Sequence, residues 1–478
     1  SLGGARPFCA RLRIPSDLSC LIPVQLGHTR SRLETSTLEP RVPRYVSTVD
    51  SGNLGGALVT LRQACLEMEQ QPYLREAQWQ GLGDVLGLLE QAVSNLLEHA
   101  KLKAPECVDA VRRVRSLIKQ RDRSNLGHVA LIGQLRDDSI KHLDSVLLET
   151  IRQAHDVALT DLEEIETWSN ALNEHVESMH LEAETCFPWL NLLLAPPDKG
   201  ASHETPALER AWQELRDAAQ LPTRLSDTSD ITARLRVALR AWQGQWTGDR
   251  PPQVEAWAQA FEAALDNGTA ACTSIRKGLH MVTSACSREL ECMDFSLLYD
   301  ARRRLFHIGY NVSENRLDPH HYDLIASEAR LASFIAVARG VAPASHWSQM
   351  SRPTVRRDGT MVLLSWTGTM FEYLMPPLLM HSNRHTLLSR GCAAAVQQQI
   401  AYARNLGVPW GIAESGYYRF DPDLKYQYQA FGAPALGLKR GLDEDLVIAP
   451  YASLLAISIQ PQAVMDNIHY LKDLGTVG

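Results

Sequence analysis

The chain has 478 residues, of which 45% are hydrophobic and 22% are charged, a composition typical of a globular protein. This length allows roughly two to four domains or one large helical toroid. A net charge of -7 argues against general nucleic-acid binding, which needs a basic surface. The longest apolar run near the end, residues 446–459, contains Pro450 and is too short to cross a bilayer. We therefore predict no transmembrane segment.

The cysteines and histidines argue against several kinds of site. The nine cysteines are scattered, odd in number and without a C-x-x-C pair, so we expect neither a disulfide framework nor a zinc site and favour a reducing compartment. His320 and His321 are adjacent, which is a poor spacing for two ligands on one helical face. The sequence has no G-x-x-x-x-G-K-[ST] loop, no H-E-x-x-H and no G-x-S-x-G elbow. We predict no metal and no cofactor.

In chain order, residues 1–43 are rich in arginine, lack the apolar core of a signal peptide and are predicted to be an irregular junction segment. Because the chain begins at Ser1 and not at Met, we expect it to be a piece of a longer protein. Residues 44–290 are predicted to be a helical N-terminal region, in which a turn-like stretch at 47–54 precedes apolar residues at spacings of three and four. Residues 291–478 alternate helical stretches with Gly-, Pro- and aromatic-rich loops, where binding and catalytic groups usually lie. The fold class is predicted as mainly α.

One acid of this last region lies in an apolar helical pattern. Periodicity predicts a helix on which Glu328 shares the face of Leu324 and Leu331. A solvated acid would normally lie on another face. Glu328 is therefore either paired with an arginine, such as Arg330 or Arg302, or it faces a cleft. The sequence favours neither interpretation over the other.

Two more glutamates lie in similar settings. Glu372 is surrounded by apolar and aromatic residues. It is either a functional acid or a buried structural carboxylate, which would cap a loop or pair with a basic residue. Glu414 follows Trp410 and Gly411 in a stretch too rich in glycine and aromatics for a helix interior, which favours a functional role. Because an unpaired buried carboxylate is costly, such acids are usually paired, coordinated or used in chemistry. Carboxylates among aromatic side chains, without a cofactor motif, favour glycoside chemistry, in which two acids flank the scissile bond.

Eight motifs in the same order resemble a known family, the glucoamylase-like domain of bacterial cyclic β-1,2-glucan synthases, which is related to endo-β-1,2-glucanases. The motifs are R-Y-V-S-T-V-D-S-G-N-L at 44–54, M-D-F-S-L-L-Y-D at 293–300, R-R-L-F-H-I-G-Y-N-V at 303–312, Y-D-L-I-A-S-E-A-R-L-A-S-F-I-A at 322–336, L-S-W-T-G-T-M-F-E-Y-L-M-P at 364–376, V-P-W-G-I-A-E-S-G-Y at 408–417, Y-Q-Y-Q-A-F-G-A-P-A-L-G-L-K-R-G-L at 426–442 and D-L-V-I-A-P-Y-A at 445–452.

The resemblance implies an (α/α)6 toroid-like glycoside hydrolase domain with an additional helical N-terminal part, incomplete at its C-terminal end. It implies an enzyme that cyclises a linear β-1,2-glucan by retaining transglycosylation. The alternatives are an endo-β-1,2-glucanase, which is a hydrolase, and a non-catalytic glucan-binding or scaffold fragment. Full-length members also carry a membrane glycosyltransferase and a phosphorylase-like domain. These partners imply a position on the cytoplasmic side of the inner membrane as part of a membrane synthase.

The resemblance also implies roles for individual residues. Carried over motif by motif, it places the nucleophile at Glu414, the general acid/base at Glu328 and a reserve catalytic candidate at Glu372. It places sugar contacts at Tyr322, Asp323, Trp366, Tyr373, Trp410, Tyr417 and Tyr428. The general acid must hold a proton near neutral pH, which apolar surroundings favour, whereas the nucleophile must be ionised.

Overall fold

The computed structural model describes residues 44–72, 75–154, 157–198, 205–220, 224–246, 250–357, 359–415 and 431–475, with the backbone of two short paired strands, β1 (Val24–Gln25) and β2 (His28–Thr29). Most described residues are helical, which confirms the mainly α prediction. They form two compact units, one of residues 64–283 and the other of residues 44–63 with 284–475. The predicted boundary at residue 291 and the toroidal arrangement remain predictions. Apart from β1 and β2, the predicted junction segment lies outside the described residues.

The first unit is built from amphipathic helices whose apolar stripes face inward. On the helix Glu76–His99, for example, Leu82, Leu86 and Leu89 recur at spacings of three and four and are fully buried. The helices that contribute to this unit are α1 (Thr48–Gln70), α2 (Glu76–His99), α3 (Pro105–Lys119), α4 (Asn125–Gln134), a π-helical turn (Leu135–Ser139), α5 (Ile140–Gln153), α6 (Leu159–Cys186), α7 (Trp189–Leu194), α8 (Pro206–Ala218), α9 (Thr228–Gln243) and α10 (Pro252–Cys292).

The second unit combines short antiparallel sheets with helices. Its strands are β3 (Tyr45–Ser47), β4 (Tyr299–Asp300), β5 (Leu305–His307), β6 (Gly309–Asn311), β7 (Arg316–Leu317), β8 (His321–Tyr322), β9 (Thr354–Arg357) and β10 (Thr360–Leu363). They form three sheets, with the strand orders β3-β6-β7, β4-β5-β8 and β10-β9. Its further helices are α11 (Arg330–Ala338), α12 (Ser345–Gln349), α13 (Met370–Leu374), α14 (Leu387–Leu406), α15 (Pro450–Leu454) and α16 (Pro461–Asp473), with 3-10 turns at Phe295–Leu298 and Pro376–Leu378.

Strand β3 leads directly into α1, so the segment expected to be turn-like is the first part of a helix. The Thr48 hydroxyl donates to the His307 carbonyl at 2.6 Å, which ties the helix start to β5. This tertiary bond replaces the local turn that the polar residues suggested. As a result, Asp50 lies in the first turn of α1.

No helix within the described residues is both long and apolar enough to span a membrane.

The contact between β3 and β6 requires a residue without a side chain at position 309. A Cβ on Gly309 would lie 2.3 Å from the Val46 carbonyl oxygen. We expect Gly309→Ala to lower the stability of the second unit by about 1–3 kcal/mol, because the strands must separate to admit the methyl group. The matched control is Gly83→Ala in α2, where the added methyl meets nothing within 4 Å and should stabilise the helix by about 0.5–1 kcal/mol. Calorimetric unfolding measures both, and equal effects of the two changes would contradict the expectation.

Candidate functional site

Glu328 lies in a turn immediately before α11 and not on a helix face. The helix begins only at Arg330, so the prediction that Leu324 and Glu328 share a helix face with Leu331 is wrong. The reason is a tertiary pairing: the Ile325 amide donates to the Ser351 carbonyl at 3.1 Å, and the Ser351 amide donates to the Asp323 carbonyl at 2.6 Å. These bonds hold the chain extended where the apolar spacing alone favoured a helix.

The environment of Glu328 favours its protonated form. Burial of the side chain removes its hydration and raises its pKa to about 7. The charges of Glu372 and Glu414 act in the same direction, whereas the backbone N–H of Glu328 and the charge of Arg330 oppose them. A carboxyl with this pKa holds a proton for much of the time at neutral pH, which is the condition that a general acid requires.

Arg330 does not form an ion pair with Glu328 in the described part of the chain. Its buried guanidinium donates to backbone carbonyls instead: to Ser327 at 3.1 Å, to Glu372 at 2.7 Å and also to Tyr373. Arg330 therefore fastens the turn that carries Glu328 to helix α13. Its charge still lowers the pKa of Glu328 from a distance.

Glu372 accepts hydrogen bonds from the loop that precedes its own helix. The donors are the hydroxyls of Ser365, Thr367 and Thr369 and the amides of Trp366, Thr367 and Thr369, at distances of 2.8 to 3.3 Å. Glu372 and Thr369 also form a capping box at the start of α13. Both carboxylate oxygens are thus engaged inside the protein, and the side chain is buried.

The loop of residues 365–369 is also packed closely from outside. A Cβ on Gly432 would lie 1.8 Å from the Thr367 carbonyl oxygen, so this position admits glycine alone. On the other side, the buried amide of Gln399 donates to the Gly368 carbonyl at 2.8 Å and to the Ile412 carbonyl at 2.9 Å. The Ile412 amide donates back to the Gln399 oxygen at 2.8 Å. Gln399 therefore joins the Glu372 loop to the segment that leads to Glu414.

Glu414 is exposed at the end of this segment, next to residues 416–430, which lie outside the described residues. Its backbone carbonyl accepts a hydrogen bond from the Tyr451 hydroxyl at 2.6 Å. Its charge raises the pKa of Glu328, of Tyr322 and of Tyr451, although burial is the larger cause for each of the three. Glu414 therefore lies within electrostatic range of all three groups.

Tyr322 and Asp50 complete this cluster. Burial raises the pKa of the Tyr322 hydroxyl, and the charges of Glu328, Tyr45, Asp50 and Glu414 raise it further. Burial also raises the pKa of Asp50 itself, against a hydrogen bond with Ser47 that lowers it. Sequence reasoning missed Asp50, although it lies inside the first of the family-like motifs. The available signal was an acid next to the apolar Val49 within that motif.

The other predicted sugar contacts fall into three groups. Trp366 is 57% exposed and Asp323 is also exposed, so both can meet a ligand.

Two predicted contacts are buried instead. Tyr373 is 1% exposed, and its hydroxyl donates to the Leu363 carbonyl at 2.8 Å. Trp410 is 6% exposed, and its backbone forms hydrogen bonds with the Asn467 side chain. These two are core residues and are not placed at an accessible surface. Tyr417 and Tyr428 lie outside the described residues.

Comparison with known proteins points to one family. Residues 320–477 match the sequence model of a family described as "putative glucoamylase". Over 465 residues, which are 96% of this chain, the sequence is 33% identical to the cyclic beta-(1,2)-glucan synthase NdvB of Rhizobium meliloti (strain 1021). The chain spans 13% of the length of that relative. These similarities confirm the resemblance to the glucoamylase-like domain of bacterial cyclic β-1,2-glucan synthases.

The raised pKa of Glu328 predicts a pH-dependent stability. The unfolded chain releases this proton near its ordinary pKa of 4.5, whereas the folded chain holds it until about 7. The carboxyl therefore contributes stability below pH 4.5 that is lost as the pH rises through about 7. Glu328→Gln cannot titrate, so we expect the wild type to gain stability relative to this variant as the pH falls from about 8 to about 5. Calorimetric Tm values at each pH test this, with exposed Glu444→Gln as the control, and a pH-independent difference would contradict it.

The hydrogen bonds of Glu372 predict a structural penalty. In the wild type, amide and hydroxyl donors meet the carboxylate oxygens of Glu372. In Glu372→Gln, an NH2 group would replace one of these acceptor oxygens and face the same donors. We expect a loss of about 1–3 kcal/mol for each buried donor left unsatisfied, seen as a lower Tm at every pH. Glu444→Gln is again the matched control. A variant as stable as the wild type would show that the 365–369 loop does not depend on this carboxylate.

Proposed function

We propose that this glucoamylase-like chain cyclises a linear β-1,2-glucan by retaining transglycosylation, with Glu414 as nucleophile and Glu328 as general acid/base. The observation that carries the proposal is the contrast between these two carboxyls. Glu328 has a pKa raised to about 7, and Glu414 is exposed while its charge reaches Glu328. A retaining mechanism needs one protonated and one ionised carboxyl on either side of the bond that breaks.

In the first half of the reaction, Glu328 gives its proton to the glycosidic oxygen while a Glu414 carboxylate oxygen attacks the anomeric carbon. The bond between that carbon and the glycosidic oxygen breaks, and the departing glucan segment leaves with a hydroxyl group. An ester joins the remaining chain to Glu414. Because the ester removes the charge of Glu414, one of the two carboxylates that raise the pKa of Glu328 is neutralised. Glu328 is then better suited to remain ionised and to act as a base.

In the second half, Glu328 accepts the proton of a sugar hydroxyl from the far end of the same glucan. The hydroxyl oxygen attacks the anomeric carbon, the ester bond to Glu414 breaks, and both carboxyls return to their starting states. Water in place of that hydroxyl would give a linear product. Cyclisation is favoured over hydrolysis here because nearly the whole chain aligns with a relative named as a cyclic glucan synthase.

The remaining site residues take supporting roles in this proposal. Trp366 offers an exposed aromatic face on a loop fixed by Glu372, which suits stacking against a sugar ring. Tyr322 and Asp50 line the same electrostatic cluster as the catalytic pair. Glu372 positions the loop and contributes its charge, and it is not the catalytic acid. Tyr373 and Trp410 pack in the core, and neither contacts the glucan.

We propose further that the chain acts as one domain of a longer membrane synthase. The relative is much longer than this chain, which spans 13% of it. A glycosyltransferase on the cytoplasmic side of the inner membrane would supply the linear glucan, and a phosphorylase-like domain would act beside it.

The test is incubation of the purified chain with linear β-1,2-glucan, followed by mass spectrometry. We expect products lighter by one water than linear chains of the same number of sugars, because ring closure consumes no water. Glu414→Gln should abolish them, and Glu444→Gln should leave them unchanged. Shorter linear products would instead identify a hydrolase. No change with a folded protein would favour a non-catalytic glucan-binding fragment.

A further inference from the structure

The sheet β4-β5-β8 places three potential metal ligands on one face. His307 of β5 pairs directly with His321 of β8, and Asp300 of β4 pairs with Leu305, two residues before His307. Because side chains alternate along a strand, Asp300, His307 and His321 point to the same side of the sheet. Tyr322 follows His321 and therefore lies on the other face.

The distances suit a small divalent cation. One ligand atom from each of Asp300, His307 and His321 lies within 4.8 Å of the other two. The His321 Nε2 atom is 3.2 Å from the Asp300 Oδ2 atom, and the two imidazole rings are 4.2 Å apart between centroids. A tetrahedral ion with bonds of about 2.0–2.1 Å holds its ligand atoms roughly 3.3 Å apart. The cluster therefore needs only small side-chain shifts to enclose such an ion.

The ligands are also held from behind, as they are in established metal sites. The His307 Nδ1–H donates to the Asp318 carbonyl at 2.6 Å, which leaves the Nε2 lone pair available. The second oxygen of Asp300 accepts from the Arg302 amide at 2.9 Å and the Arg303 amide at 3.0 Å. The Arg303 side chain is an opposing feature, because its Nε lies 4.0 Å from the Asp300 Oδ2 atom, but it is exposed and can turn into solvent.

We propose that Asp300, His307 and His321 bind a divalent transition ion, with Zn²⁺ as the first candidate. Two imidazoles and one carboxylate form a ligand set that Zn²⁺ accepts, with water in the fourth position. The strands of this sheet are only two or three residues long, so few hydrogen bonds connect them. The bound ion would link all three strands. It thereby stiffens β8, in which His321 is followed by Tyr322 of the proposed glucan site. The sequence concealed this site because His321 has its partner across the sheet and not in the adjacent His320.

The test uses the whole chain after chelation, titrated with Zn²⁺ by calorimetry and with Co²⁺ by absorption spectroscopy. We expect one Zn²⁺ per chain, a Tm that rises with Zn²⁺, and a Co²⁺ spectrum of nitrogen and oxygen ligands. His307→Gln and His321→Gln should each weaken binding at least about 10-fold. Exposed His320→Gln, one residue away, should bind like the wild type.

Three results would overturn the proposal. The first is a wild-type chain that binds neither ion with saturation. The second is undiminished binding by the His307→Gln/His321→Gln double variant. The third is a sulfur-to-metal charge-transfer band with Co²⁺, which would assign the ion to cysteines. Asp300→Asn provides a check in case a histidine variant fails to fold, because it keeps a hydrogen-bonding side chain and removes the ligand charge.

Discussion

The buried carboxylate of Glu372 and its hydrogen bonds organise the candidate site. An anion inside a protein is tolerated only when donors replace the water that it has lost. Here the donors come from residues 365–369, which curl around the carboxylate before α13 begins. This arrangement fixes the backbone at Trp366 and presents the carbonyl of Thr367 closely to Gly432. Loop shape, helix start and aromatic surface therefore depend on one side chain.

The same anion also affects the chemistry of its neighbour. Its charge helps to raise the pKa of Glu328, while Arg330, tied to the backbone of both segments, limits the increase. The pKa of Glu328 is thus set by burial and by two opposing charges, the negative charge of Glu372 and the positive charge of Arg330. The more exposed Glu414 adds a charge that a covalent intermediate would remove. The proposed change of Glu328 from acid to base follows from this balance.

Sequence patterns single out candidate acids, but they do not assign a role to each one. Glu328, Glu372 and Glu414 were recognised because acids in apolar or glycine-rich surroundings are costly without a purpose. The structural role of Glu372 was visible in principle, since Thr369 precedes it by three residues as in a capping box. The start of α11 was predicted too early because periodicity cannot register the bonds between residue 351 and residues 323–325. Tyr373 and Trp410 were assigned to sugar contact because an aromatic residue in a motif gives no indication of its burial.

By itself, the amino-acid sequence determined the helical class, the family and the set of candidate carboxyls. Those properties depend on local periodicity and on motifs that are contiguous along the chain. Only the tertiary structure decided which carboxyl is satisfied internally and which retains a proton. It also brought Asp50 towards Tyr322, through the pairing of β3 with the distant β6, and aligned Asp300 with two histidines through the sheet β4-β5-β8. Hydration and electrostatic coupling depend on distances in space, so a carboxyl departs from its ordinary pKa only when the chain has folded.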